Sequence, residues 1–99
     1  EGGTFLHLGL AYRATGRFEE AVSEFKKALQ REPDNIFAHL GLAATYGMMG
    51  REQEARAEAA EVLRLNPKFS VDSYAKRMPY KDQSVIDNYI NGLRKAGLK

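Results

Sequence analysis

An all-α fold built from antiparallel helix pairs is predicted by three features of the sequence. Apolar residues recur at steps of three and four, Gly and Pro fall at matched intervals, and the first two thirds of the chain repeat themselves. The period is 34 residues. A shorter register offers itself first, because His7-Leu8-Gly9-Leu10-Ala11 recurs letter for letter as His39-Leu40-Gly41-Leu42-Ala43, an offset of 32. That register fails on extension, since it sets Tyr12 against Ala44 and Gly16 against Met48. An offset of 34 pairs Leu8 with Leu42, Tyr12 with Tyr46, Gly16 with Gly50, Ala21 with Ala55, Leu29 with Leu63 and Pro33 with Pro67. Ten of 34 positions agree between 2–35 and 36–69, punctuation included, which fixes the register.

Each unit then reads as a helical hairpin. Phe5, Leu8 and Tyr12 mark one face of a first helix, and Gly16 ends it because glycine takes a left-handed conformation without steric cost. A second helix is predicted from Phe18 to Arg31, with Ala21, Val22, Phe25, Ala28 and Leu29 inward. Small Ala21 and Ala28 allow close approach, and Pro33 closes the unit because it has no N–H for the ladder. Asp34 and Asn35 offer capping oxygens for a third helix, Ile36 to Met49; its partner runs from Glu52 to Leu65 and stops at Asn66-Pro67.

The remaining 30 residues are not a third copy, since the 34-residue offset matches little beyond Tyr80 and Ala96. Pro79 limits a short helix to Ser70–Met78. Asp82 can cap a last helix, Gln83 to Ala96, whose stripe is Val85, Ile86, Tyr89, Ile90 and Leu93, and Gly97 closes it. A stacked repeat leaves an apolar face open at its end, so a capping role is expected for this irregular pair. The division expected is one domain, 1–99, comprising units 2–35 and 36–69 and a degenerate unit 70–99.

Leu8-Gly9-x-x-Tyr12, Ala21-x-x-x-Phe25-x-x-Ala28 and Pro33 resemble the tetratricopeptide repeat at its own spacing, with Phe5 in place of the opening aromatic. The second unit keeps Leu42-Ala43-x-x-Tyr46, Ala55 and Pro67, but carries His39 at the opening aromatic, Ala59 for Phe25 and Val62 for Ala28. The resemblance implies a short right-handed α-solenoid whose first helices line a concave side that binds protein. Asn66-Pro67-x-Phe69-Ser70, Pro79-Tyr80-Lys81-Asp82 and Gly92-Leu93-Arg94-Lys95-Ala96-Gly97-Leu98 further resemble the C-terminal end of bacterial repeat proteins. Many of those carry an adenylate or guanylate cyclase domain upstream. This implies the interaction end of a cytoplasmic signalling protein, and no residue here matches a cyclase's catalytic aspartates.

Composition narrows the function. Residues 1–69 hold nine Lys/Arg against ten Asp/Glu and residues 70–99 six against three, so only the tail is basic, and mildly. A nucleic-acid contact would have to use Lys76, Arg77, Lys81, Arg94 and Lys95, without the clustered basic face such binding needs, and is not expected. No apolar run is long enough to span a membrane. The opening Glu1-Gly2-Gly3-Thr4 has no basic stretch, hydrophobic block or initiator Met, so no secretory signal is expected and a piece cut from a longer chain is. With no cysteine there is no disulfide or thiolate chemistry, in keeping with a cytosolic setting.

Candidate binding residues follow from the helix faces. Leu6, Leu10, Arg13, Phe37, Leu40, Ala44 and Met48 lie off the packing stripe and should line the concave side, a groove for an amphipathic helix or extended peptide. The degenerate unit either leaves that groove open or folds back over part of it. With Arg13 its one clear cation, capture of a peptide carboxylate is not expected. Phe5, Leu8 and Tyr12 are the candidates for self-association, should the first helix lack cover. His7 and His39 have no carboxylate at ligand spacing, so packing is expected of them and no metal. Glu19, Glu20, Glu24, Lys26 and Lys27 read as a solvated face with weak pairing. Neither a phosphate loop nor a nucleophile set appears, so no cofactor and no catalysis are expected.

Overall fold

A computed structural model describes residues 2–78 and 82–99. Among them are six helices and no strand: α1 (Gly2–Ala14), α2 (Phe18–Arg31), α3 (Ile36–Met49), α4 (Glu52–Leu65), α5 (Val71–Lys76) and α6 (Gln83–Lys95). The first four form two packed antiparallel pairs, with α2 also against α3, so the all-α solenoid is borne out.

Both hairpins turn by one device. Gly16 and Gly50 take φ of 82° and 76°, and the N–H of the following Arg donates back to a tyrosine carbonyl, Arg17 to Tyr12 at 2.8 Å and Arg51 to Tyr46 at 2.9 Å. This closure satisfies carbonyls left over at a helix end. The two guanidiniums then fold over the tyrosine rings, 4.7 and 5.1 Å from their centroids, while pairing with Glu20 and Glu54. Sequence periodicity thus becomes a repeated turn in space.

Phe25 joins the two hairpins. Its ring packs where a Cβ on Gly9 would stand 2.7 Å away, and it also lies against Gly41 of α3. Ala21, Ala43, Ala55 and Val62 are buried in the same core cluster as Phe25, small enough to bring the helices together.

Three local expectations need correction. Asn35 alone caps α3, its side chain accepting from Phe37 and Ala38 N–H, while Asp34 pairs with Arg64 of α4 at 3.0 Å. The fifth helix is shorter than Ser70–Met78, because Ser70 is its cap and Arg77 already lies beyond it. The last helix stops at Lys95, one residue early. The stop assigned to Pro79, and Tyr80 and Lys81, lie outside the described residues.

α6 packs chiefly on α3, and meets α4 only at its margin. Glycine explains the fit: a Cβ on Gly92 would press into the Ala44 carbonyl, and one on Gly47 into the Gly92 carbonyl. Asp82 caps α6 by accepting from the Ser84 N–H at 2.9 Å and its hydroxyl at 2.7 Å. The chain end is tied in as well. Gly97 turns with φ 97°, Leu98 is buried, and the Val71 N–H donates to the Lys99 carbonyl at 2.8 Å.

Candidate functional site

The candidate site grows from the side on which α1 and α3 run next to each other. Equivalent positions in the two repeats, Leu6 with Leu40, Leu10 with Ala44 and Arg13 with Gly47, form its floor. Side-chain size decides what happens there. On α3 the small Ala44 and Gly47 let α6 sink in, and Leu40 and Ala44 are buried. On α1 the longer Leu6 and Leu10 hold a space open.

That space is a cavity of about 380 Å³ lined by Leu6 and Leu10 of α1, Phe37 of α3, Tyr74, Arg77 and Met78 at α5, and Tyr89 of α6. Its volume sits at the lower end of ligand pockets, which run from about 300 to 1,000 Å³. The walls are apolar and aromatic, and Arg77 is the charged member of the lining, on the exposed side. Phe37, at 52% exposure the most open large apolar side chain among the described residues, stands at the mouth.

An aromatic relay fixes the wall opposite α1. The Phe69 and Tyr74 rings lie 5.6 Å apart and tilted, Tyr74 and Tyr89 6.0 Å apart, and the Arg13 guanidinium sits 4.4 Å from the Tyr89 centroid. Tilted rings and a cation over a ring are attractive beyond their area. The Asp72–Arg94 ion pair, 2.9 Å, adds a strut between α5 and α6 at the surface.

Of the seven residues read as a concave groove, Leu6, Leu10 and Phe37 therefore line the cavity. Leu40 and Ala44 lie covered, Arg13 is 5% exposed against Tyr89, and Met48 borders a smaller recess with Val85 and Asn88. The degenerate unit folds back over part of the groove and walls off the rest. Sequence reasoning missed Tyr74, Arg77, Met78 and Tyr89 as lining. The signal that could have found them is the small-residue match of Gly47 and Gly92, which marks where helices meet closely.

The other candidates fall as follows. Phe5 has Lys27 and Arg31 of α2 near its ring, at 5.8 and 5.6 Å, and the Tyr12 ring carries Arg17, so of the three self-association candidates only Leu8 is exposed. His39 is buried, its ring nitrogens 2.7 Å from Glu58 Oε1 and 3.0 Å from the Pro33 carbonyl oxygen; it packs, while His7 is exposed. In the charged face of α2, Glu20 pairs with Arg17 and Glu24 with Lys27. Of the tail's cations, Arg94 is engaged with Asp72, Lys76, Arg77 and Lys95 are exposed, and Lys81 is outside the described residues. Among the described residues no group of three or more acidic or histidine side chains could hold a metal ion, and no helix is long and apolar enough to cross a membrane.

The tetratricopeptide repeat pattern matches residues 12–78, more than half of the chain. The chain belongs to the tetratricopeptide repeat family. Tetratricopeptide repeats in general mediate protein–protein interaction, and the fold is a non-catalytic one. Over 69 residues, 70% of this chain, it is 36% identical to DnaJ homolog subfamily C member 7 of Homo sapiens. Over 44 residues, 44% of the chain, it is 46% identical to a protein of Rhizobium meliloti (strain 1021) that carries the name of an adenylate cyclase. The matches span 14% and 8% of those two proteins, so this chain is a small part of the length of either relative.

Proposed function

We propose that this chain binds a segment of another protein, seating an apolar side chain of that segment in the cavity between α1, α3 and α5–α6. The observation that carries the reading is the apolar cavity of about 380 Å³ with Phe37 exposed at its mouth. Such a space accommodates an anchor side chain better than a whole helix, because α6 already fills the α3 half of the groove. Binding energy at protein contacts concentrates in buried aromatic and aliphatic anchors of this kind.

In the larger frame, the chain is a single domain with hairpins 2–35 and 36–69 and an irregular unit 70–99, and it serves a cytoplasmic bacterial signalling protein as a C-terminal regulatory or scaffolding part. The similarity to the cyclase-named Rhizobium meliloti protein, and the tail's resemblance to the C-terminal end of bacterial repeat proteins, support that frame. The test is selection of binding peptides from a random display library, followed by titration against Phe37→Ala, Leu10→Ala and Arg77→Ala. A peptide that loses tenfold or more with Phe37→Ala and Leu10→Ala supports the cavity; peptides indifferent to both refute it.

A further inference from the structure

Arg77, immediately after α5, is the charged side chain that lines the cavity, and its charge is uncommitted. Arg17, Arg51, Arg56, Arg64 and Arg94 each pair with a carboxylate. Arg77 is exposed and forms no ion pair among the described residues. The acidic residue of α5, Asp72, is held instead by Arg94 of α6 at 2.9 Å. Arg13, the cation that the sequence places in the groove, is 5% exposed and stands against Tyr89. The cation presented to an incoming segment is therefore Arg77.

Its surroundings sharpen the attraction. The rest of the lining, Leu6, Leu10, Phe37, Tyr74, Met78 and Tyr89, carries no carboxylate. An apolar wall excludes water from one side of the guanidinium, so a carboxylate approaching there is screened less than in open solvent. Arg also offers a planar fork of donors that matches a carboxylate.

Beyond Phe37 the charge changes sign. The same ring borders a shallow recess at the α2–α3 turn, lined with Glu32, Pro33, Asp34 and Asn35. Asp34 is paired with Arg64, while Glu32 is exposed and accepts from the Asn35 side-chain amide at 3.3 Å. A segment anchored beside Phe37 thus meets an uncommitted cation on one side and an exposed carboxylate on the other. An acidic residue next to the anchor is drawn toward α5 and repelled from the turn.

We infer that the segment this chain binds carries Asp or Glu beside its apolar anchor, with that carboxylate held by Arg77 on the side away from Glu32. The inference rests on the cavity reading above and adds the chemistry of the partner: an apolar side chain flanked by an acidic one.

Display libraries of short peptides test it on the whole chain. All have a central Leu or Phe, flanked by Glu and Asp in one library, by Lys and Arg in another, and by Ser and Gln in a third. Binders from the acidic library should be favoured by about tenfold, the worth of one charge-assisted pair. The preference should shrink with added salt. It should vanish in Arg77→Ala, turn toward basic peptides in Arg77→Glu, and survive in part in Arg77→Lys, which keeps the charge and loses the fork. Circular dichroism checks that the variants keep their helices. Binders drawn equally from the three libraries, yet weakened by Phe37→Ala, would uphold the cavity and overturn this inference. An acidic preference unchanged in Arg77→Ala would overturn it too, since the carboxylate would then sit elsewhere. No binder from any library would refute the cavity and this inference together.

Discussion

Gly47 of α3 and Gly92 of α6 meet with no side chain between them, so that a Cβ on Gly47 would overlap the Gly92 carbonyl oxygen. The obstruction is backbone, which cannot rotate away as a side-chain tip can. Gly92→Ala meets the Ala44 carbonyl in the same way. Overpacking of this kind costs about 1–3 kcal/mol. The loss should fall on one element. Hydrogen exchange on Gly92→Ala should show α6 amides unprotected while α1 to α4 keep their protection, and uniform protection would show that α6 does not dock through this contact.

The His39 ring reaches the Pro33 carbonyl at 3.0 Å and Glu58 at 2.7 Å, and so ties the α2–α3 turn to α4. His39→Ala strands both oxygens near a buried site and should lower stability by about 1–3 kcal/mol. A double-mutant cycle with Glu58→Gln should return a coupling of about 0.5–3 kcal/mol. Additive losses in urea unfolding would mean that the Glu58 contact contributes nothing to holding the ring.

At the start of α3, Asn35 Oδ1 accepts from the N–H of Phe37 at 3.0 Å and of Ala38 at 3.3 Å. Asn35→Ala should cost about 0.5–2 kcal/mol, and Asn35→Asp far less, because aspartate caps as well. Chemical denaturation of the two variants checks the order. Since Phe37 follows directly, a frayed α3 start should also weaken binding at the cavity mouth.

These cases show what was legible in the sequence. Helix limits within the repeats followed from Gly16, Gly50, Pro33 and Pro67, whose backbone chemistry acts locally and needs no knowledge of neighbours. The path of α6 was not legible, because its stripe of Val85, Ile86, Tyr89, Ile90 and Leu93 states that a face is buried without saying against what. The choice was made by small residues on two helices far apart in sequence, Ala44 and Gly47 on α3 and Gly92 on α6. Arg13 was misplaced for the same reason. A cation on a groove face reads as exposed until a ring 76 positions later, Tyr89, comes to lie 4.4 Å from it. His39 likewise had no carboxylate at helical spacing, and found one on the neighbouring helix.

Acid should loosen the α6 end first. The Ser84 hydroxyl, and then its N–H, donate to Asp82 and hold its carboxyl below the usual carboxylate value. The folded state therefore binds this proton less readily than the unfolded chain. The stabilisation is present above the ordinary carboxylate pKa and is lost as pH falls through the lowered one. Asp82→Asn keeps an acceptor that does not titrate. Thermal melts from neutral pH to strong acid should show the stability difference between wild type and Asp82→Asn shifting toward the variant only in that acid window. A difference constant across the whole range would remove Asp82 from the acid response.

Phe25 offers the clearest case of coupled sites. Its ring stands 2.7 Å from where a Cβ on Gly9 would be, and against Gly41 on the other side, so both glycines are small because the ring is large. Gly9→Ala gains helix propensity, worth roughly 1 kcal/mol, yet drives a methyl into a ring held between two helices. The steric term should win, for a net loss of about 1–2 kcal/mol. Phe25→Ala alone should cost about 3–5 kcal/mol through the void it leaves. In the double variant Gly9→Ala meets no ring, keeps its propensity gain and fills part of the void. The double variant should therefore be more stable than Phe25→Ala alone, so that one substitution harms the wild type and helps the variant. Urea midpoints of the four proteins measure this sign reversal, and equal losses in both backgrounds would show that Gly9 is required for its backbone and not for the ring.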